Sequence, residues 1–180
     1  MSNRSRVRPS HGGPPAAPRA QAAARALEHA TQAVARGDYE AAIAHYLRLT
    51  ESDPRSAEAH NDLANAYRSV WRLDDAVRHY RRAVELRPDL AAAHFNLGVT
   101  YLDGGAFEAA AESLGAALAL RPGHAGTIQS LMLAQARLGR ADDALPWLEH
   151  FRALAVARPD SASAQSQLAL ALTKFDPMAR

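Results

Sequence analysis

The sequence predicts an all-α fold, a solenoid of about four helix–turn–helix repeats with a C-terminal capping helix. Three observations carry the prediction. Pro54, Pro88 and Pro122 lie 34 residues apart. Five further ladders keep the same step: Ala42, Ala76, Ala110 and Ala144; Gly37, Gly105 and Gly139, with Trp71 in the missing place; Tyr46, Tyr80, Leu114 and Leu148; Leu63, Leu97 and Leu131; Leu86, Leu120 and Leu154. Within the units, apolar side chains recur three and four residues apart, the spacing of a helix with one buried stripe. A period of this length marks units that bury their apolar faces only against their neighbours.

The ladders set the array at residues 23–158, with repeats at about 23–56, 57–90, 91–124 and 125–158. The first repeat is weak in its first helix and clear from Gly37-Asp38-Tyr39 to Pro54. The second runs from Asn61 to Tyr67, then through Ala76, Tyr80 and Ala83 to Pro88. In the third, Phe95, Leu97, Tyr101 and Leu102 predict a helix over 91–103, and Phe107, Ala111, Leu114, Ala117 and Leu118 a second over 107–120. Gly104-Gly105 stops the first of these, because glycine accepts the left-handed backbone of a C-terminal cap. The prolines end the second helices, having no donor for another turn. Asp74-Asp75 and Asp142-Asp143 open second helices, where negative charge opposes the positive end of the helix dipole. Ala76, Ala110 and Ala144 let paired helices approach closely. The fourth repeat has Val156 in the proline place and Pro159 three residues later. Ser161 then N-caps a last helix, about 161–174, whose Leu168, Leu170, Leu172 and Phe175 cover the end of the array. The alternative is that this helix begins a longer array or a second domain.

Residues 1–22 are expected to be a disordered basic tail. They hold Arg4, Arg6, Arg8 and Arg19 and no acid, which leaves 17 basic against 19 acidic residues for the rest. The positive balance is thus a property of the tail. It reads as a solvated segment or as a basic arm for nucleic acid or an anionic membrane surface. The net acidic remainder argues against nucleic acid as the main partner. No Cys occurs, which excludes disulfides and cysteine-held metals. No apolar run approaches the roughly 20 residues of a membrane span. The missing export signal suggests a cytoplasmic location. One lysine, Lys174, against 20 arginines suggests a GC-rich, bacterial coding sequence.

The stretch His94-Phe95-Asn96-Leu97-Gly98-Val99-Thr100-Tyr101, continued by Gly105, Phe107, Ala110, Leu114, Ala117 and Pro122, resembles the tetratricopeptide repeat. The resemblance covers about residues 23–158. It implies a right-handed superhelical solenoid of helix–turn–helix units that binds proteins, and leaves the partner open. Chaperone-binding members hold a terminal carboxylate with cations; here Asn65 and Asn96 match their asparagines, but Asn61, Gly126 and Ser130 stand where the cations belong. The groove is more similar to the asparagine ladder of the repeats that precede O-linked N-acetylglucosamine transferases. Asn96 fits that ladder, whereas Asp62 and Ser130 depart from it.

Little in the chain points to catalysis. His60 and His94, and His45 and His79, are repeat-equivalent pairs and read as packing or surface groups. There is no His-Glu-x-x-His, phosphate-cradling glycine loop or Gly-x-Ser-x-Gly elbow. The expectation is therefore no enzyme activity, no metal, no cofactor and no small-molecule substrate. In a stacked array the first helices line the inner groove. Their free faces supply Asn61, Asp62, Asn65, Arg68 and Ser69; Phe95, Asn96, Val99 and Asp103; Gln129, Ser130, Leu133 and Arg137; and, in the first repeat, Leu27, Glu28 and Thr31. Asparagine carries donors and an acceptor, so it can pair with the backbone amides of an extended peptide. Phe95, Val99 and Leu133 add an apolar strip. The bland alternative is that these groups simply face water. Trp71, in a glycine place, either adopts a strained turn or extends the first helix. It is either a binding residue at the array's edge or a local cover over Arg68 or Arg72.

These readings converge on a scaffold or adaptor that holds a partner peptide or helix in its groove. Two alternatives remain open: a substrate-selecting repeat domain of a larger glycosyltransferase, sulfotransferase or hydroxylase, and a self-assembling structural protein that stacks through its end faces.

Overall fold

A computed structural model of the chain describes residues 16–140 and Glu149. Seven helices fill the continuous part: α1 (Ala16–Ala35), α2 (Tyr39–Ser52), α3 (Ala57–Ser69), α4 (Leu73–Leu86), α5 (Ala91–Asp103), α6 (Phe107–Leu120) and α7 (Ala125–Arg137). The chain is an all-α solenoid. Helices α3, α5 and α7 start 34 residues apart, as do α2, α4 and α6, so the sequence period is also the structural one. The second helix expected after α7 and the capping helix lie outside the described residues. So do residues 1–15 of the tail.

The turns within each helix pair need a left-handed residue. Gly37, Gly105 and Gly139 adopt φ of 74°, 77° and 71°, and Trp71 is forced to 58° in the same place. The loops between pairs need the opposite. Asp53, Arg87 and Arg121 end α2, α4 and α6 with φ near −140° and positive ψ, the extended backbone that a following proline imposes. Side chains cap some helix starts: Asp38 accepts from the Ala41 amide and Ser56 from the Ala59 amide, each at 3.1 Å. Asp74 and Asp75 sit in the first turn of α4 as expected.

Helix α1 corrects one expectation. It begins at Ala16, so residues 16–22, assigned above to a disordered tail, are helical. Alanine is the best helix former, and Pro18 lies in the first turn, where backbone N–H groups have no helical acceptor to lose.

Each helix packs on the next in sequence. One core joins α1 to α4 through Ala42, Tyr46, Leu63, Tyr67, Ala76 and Tyr80; another joins α6 to α7 through Ala110, Leu114, Leu118, Ile128 and Leu131. Tyr101 of α5 packs against both. Ala76 and Ala110 are fully buried where paired helices cross. Gly98 does the same for α5 on α6: a Cβ there would meet Leu114 Cγ at 2.6 Å. The first helices also touch one another, α3 on α5 and α5 on α7. They form the inner face of the array.

Candidate functional site

Three asparagines on that face are joined across two repeats. The Asn96 amide nitrogen on α5 donates to Asn61 Oδ1 at 3.2 Å and to Asn65 Oδ1 at 3.1 Å on α3. Behind them, the Tyr80 hydroxyl of α4 donates to Asn65 Oδ1 at 2.5 Å. Tyr80 is fully buried, and burial pushes its phenol well above the usual range, so it stays a donor. These bonds fix both amides. Asn65 Oδ1 is occupied and its nitrogen is left over; the Asn96 nitrogen is occupied and its oxygen is left over. The pair therefore leaves one amide nitrogen free to donate and one amide oxygen free to accept, which suits the C=O and N–H that one residue of an extended peptide turns to the same side. Asn65 stays exposed on the face, and Asn61 and Asn96 are half-buried.

Two recesses flank the network. One, of about 120 Å³, is lined by Val34, Tyr39, Tyr46, Asp62, Asn65, Ala66 and Ser69. Burial pushes the Asp62 carboxyl up, against the one bond from Asn61 Nδ2 at 3.2 Å that favours its charge; the nearby Glu58 charge adds to the rise. Burial, with the Asp62 charge, also raises the Tyr46 phenol. The other recess, of about 490 Å³, lies between α5 and α7 and collects Val99, Asp103, Ser130, Leu133 and Arg137 with Leu102 and Phe107. Leu133 is exposed there and gives the recess an apolar wall.

The remaining expected site residues have other engagements. Arg68 and Asp103 pair with each other at 2.8 Å, tying α3 to α5 along the face rather than standing free. The Phe95 ring meets His124 edge-on, with centroids 5.2 Å apart, and is half-buried against α7. Gln129 is half-buried on α7 and lines neither recess. Leu27, Glu28 and Thr31 are exposed on α1. Trp71 takes the strained turn, since α3 already ends at Ser69, and is 72% exposed. It does not cover Arg68 or Arg72: Arg68 holds Asp103, while Arg72 lies 4.6 Å over the Tyr67 ring and holds Asp75. Tyr39, Tyr46, Val34 and Tyr80 were not among the expected site residues. The ladder Tyr39–Leu73–Phe107 at the start of each second helix is the signal that would have found two recess walls at once.

The histidine ladder has a structural explanation. His60 and His94 each place Nε2 on the carbonyl of the proline six residues back, Pro54 at 3.3 Å and Pro88 at 2.9 Å, and so tether the loops between repeats. His60 also shares a 3.0 Å hydrogen bond, Nδ1 to Nδ1, with His79, which stacks on Tyr67. Among the described residues no three histidine, aspartate or glutamate side chains gather as a metal site, and no helix is long and apolar enough to cross a membrane.

A fold of stacked helix pairs with a polar inner face defines a repeat-array protein. Family models of the tetratricopeptide repeat match residues 33–69, 72–104 and 91–124, and the chain belongs to that family. No curated protein sequence matches it significantly. Among solved structures, MamA shares the fold with a TM-score of 0.72 at 23% identity, over 86% of this chain and 82% of that one. The Thermobaculum terrenum O-GlcNAc transferase is 31% identical over 65% of this chain, with a TM-score of 0.60, and the match spans 22% of the transferase. The second such domain of human RPAP3, solved with an HSP70 peptide, superposes with a TM-score of 0.62 at 21% identity, over 65% of this chain and 98% of that one. Proteins of this family typically serve as protein-interaction scaffolds.

Proposed function

We propose that this chain is a non-catalytic adaptor that holds an extended segment of a partner protein along the inner face of α1, α3, α5 and α7. The observation that carries the reading is the locked Asn65–Asn96 pair, which presents a donor and an acceptor to a peptide backbone before any ligand arrives. Rigid helices pay no ordering cost on binding, so recognition rests on preorganisation. The recess at Val99, Leu133 and Phe107 takes an apolar side chain of the same segment. A single extended peptide is expected to bind at roughly micromolar strength, about −8 kcal/mol. The RPAP3 domain supports a peptide as the type of ligand, but Asn61, Gly126 and Ser130 leave this groove without the cations that would hold a terminal carboxylate.

The test is to select peptides from a random displayed library on the full chain. Their affinities are then measured against the chain and against Asn65→Ala/Asn96→Ala. Loss of binding in the folded double variant supports the reading; equal binding contradicts it. The likeness to the transferase repeats favours a second reading, in which the same groove selects substrates for a larger enzyme. A coding sequence that continues into a catalytic domain would support it.

A further inference from the structure

We propose that the recess around Asp62 receives a lysine or arginine side chain of the bound segment. The proposal rests on the groove reading and adds the chemistry of one partner residue to it. Asp62 is the recess's single charged side chain, among Val34, Tyr39, Tyr46, Asn65, Ala66 and Ser69. Its partner is a neutral amide, Asn61 Nδ2. No cation among the described residues pairs with it, whereas Asp103 on the same inner face has Arg68, and the neighbouring Glu58 has Arg87. A half-buried carboxylate without a counter-ion is unfavourable unless something supplies one.

The walls fit that counter-ion. Tyr39 and Tyr46 border the same space, and tyrosine rings attract cations through their faces. Val34 and Ala66 suit the methylene stem that leads to an ammonium or guanidinium. A carboxylate side chain would meet Asp62 and be repelled. The position also suits an extended ligand. Asn65 lines the recess and belongs to the amide pair with Asn96, so a peptide group on that pair sets a neighbouring side chain at Asp62.

The displayed-library peptides provide the probe. Each is titrated by fluorescence anisotropy against the full chain, Asp62→Asn and Asn65→Ala/Asn96→Ala, with helicity of every variant checked by circular dichroism. The proposal expects the peptides to share a lysine or arginine. Replacing that residue by norleucine, or Asp62 by Asn, should weaken binding roughly tenfold or more. It also expects Asp62→Asn to be no less stable than the parent chain, which separates a ligand carboxylate from a structural one. Peptides that need Asn65 and Asn96 but carry no common basic residue and bind Asp62→Asn equally would overturn the assignment and leave the groove reading standing. If no peptide depends on Asn65 and Asn96, both readings fall together.

Discussion

Replacing Gly98 by alanine sets two effects of opposite sign against each other. In a helix interior, alanine is better than glycine by about 0.8–1.0 kcal/mol. At Gly98, however, the added Cβ would stand 2.6 Å from Leu114 Cγ and 3.1 Å from the Leu114 backbone nitrogen. Carbon atoms rest about 3.5–4.0 Å apart. Leu114 is fully buried and cannot swing aside, and its nitrogen moves only if α6 moves. Overpacking of this kind costs about 1–3 kcal/mol. The net effect is a destabilisation of about 0–2 kcal/mol. Gly115, one residue further along α6, provides the control: its Cβ would meet nothing within 4 Å. There the alanine gain stands alone, and Gly115→Ala should stabilise by up to about 1 kcal/mol. Urea unfolding followed by circular dichroism measures both, read as shifts in midpoint at constant slope. If Gly98→Ala proves as stabilising as Gly115→Ala, helices α5 and α6 do not cross at the separation described.

Three further outcomes follow from the inner face and the second repeat. Tyr80→Phe removes the donor to Asn65 and should cost about 1 kcal/mol in urea unfolding. It should also weaken the selected peptides, because the Asn65 amide is then held by the Asn96 bond alone. Asp62→Asn should raise stability at neutral pH. Burial holds the folded carboxyl above its ordinary 3.8, so stability present below that value is lost as pH rises towards the folded pKa, and the uncharged variant escapes the loss. His79 behaves in the opposite sense. Burial, then the His60 and Arg78 charges, hold it below its ordinary 6.5, against a smaller opposing pull from Asp75. The unfolded chain takes up a proton that the folded chain refuses, so stability falls as pH drops through about 6.5. Thermal unfolding of His79→Gln between pH 7 and pH 5 should show a flatter slope than the parent chain.

The sequence period reached far into this structure. The expected bounds of α5 and α6, 91–103 and 107–120, are those observed, because Gly104-Gly105 and Pro122 punctuate them with backbone chemistry that tolerates few alternatives. The place of Trp71 in the glycine ladder left two outcomes open, a strained turn or a longer first helix, and the chain takes the first. A period relates equivalent positions, though; it does not say which unlike positions of adjacent repeats meet. For that reason the pairing of Asn65 with Asn96 and Tyr80 was hidden. So was the recess that Val34, Tyr39 and Tyr46 of the first repeat form around Asp62 of the second. The pairing of Arg68 with Asp103 was hidden for the same reason, so both read as free groove residues. The start of α1 was missed because Ala16-Ala17-Pro18 follows a Pro- and Gly-rich stretch and reads as linker, although proline in a first turn is compatible with a helix.

The central claim is that the inner face, and not the outer one, holds the partner. Amide chemical-shift mapping of the isotope-labelled full chain during titration with a selected peptide tests it most directly. The account predicts that the largest shifts fall on Asn61, Asp62, Asn65, Asn96, Val99 and Ser130 of the first helices. Shifts concentrated on the outer residues of α4 and α6, such as Arg78, Arg82 and Glu112, would contradict it.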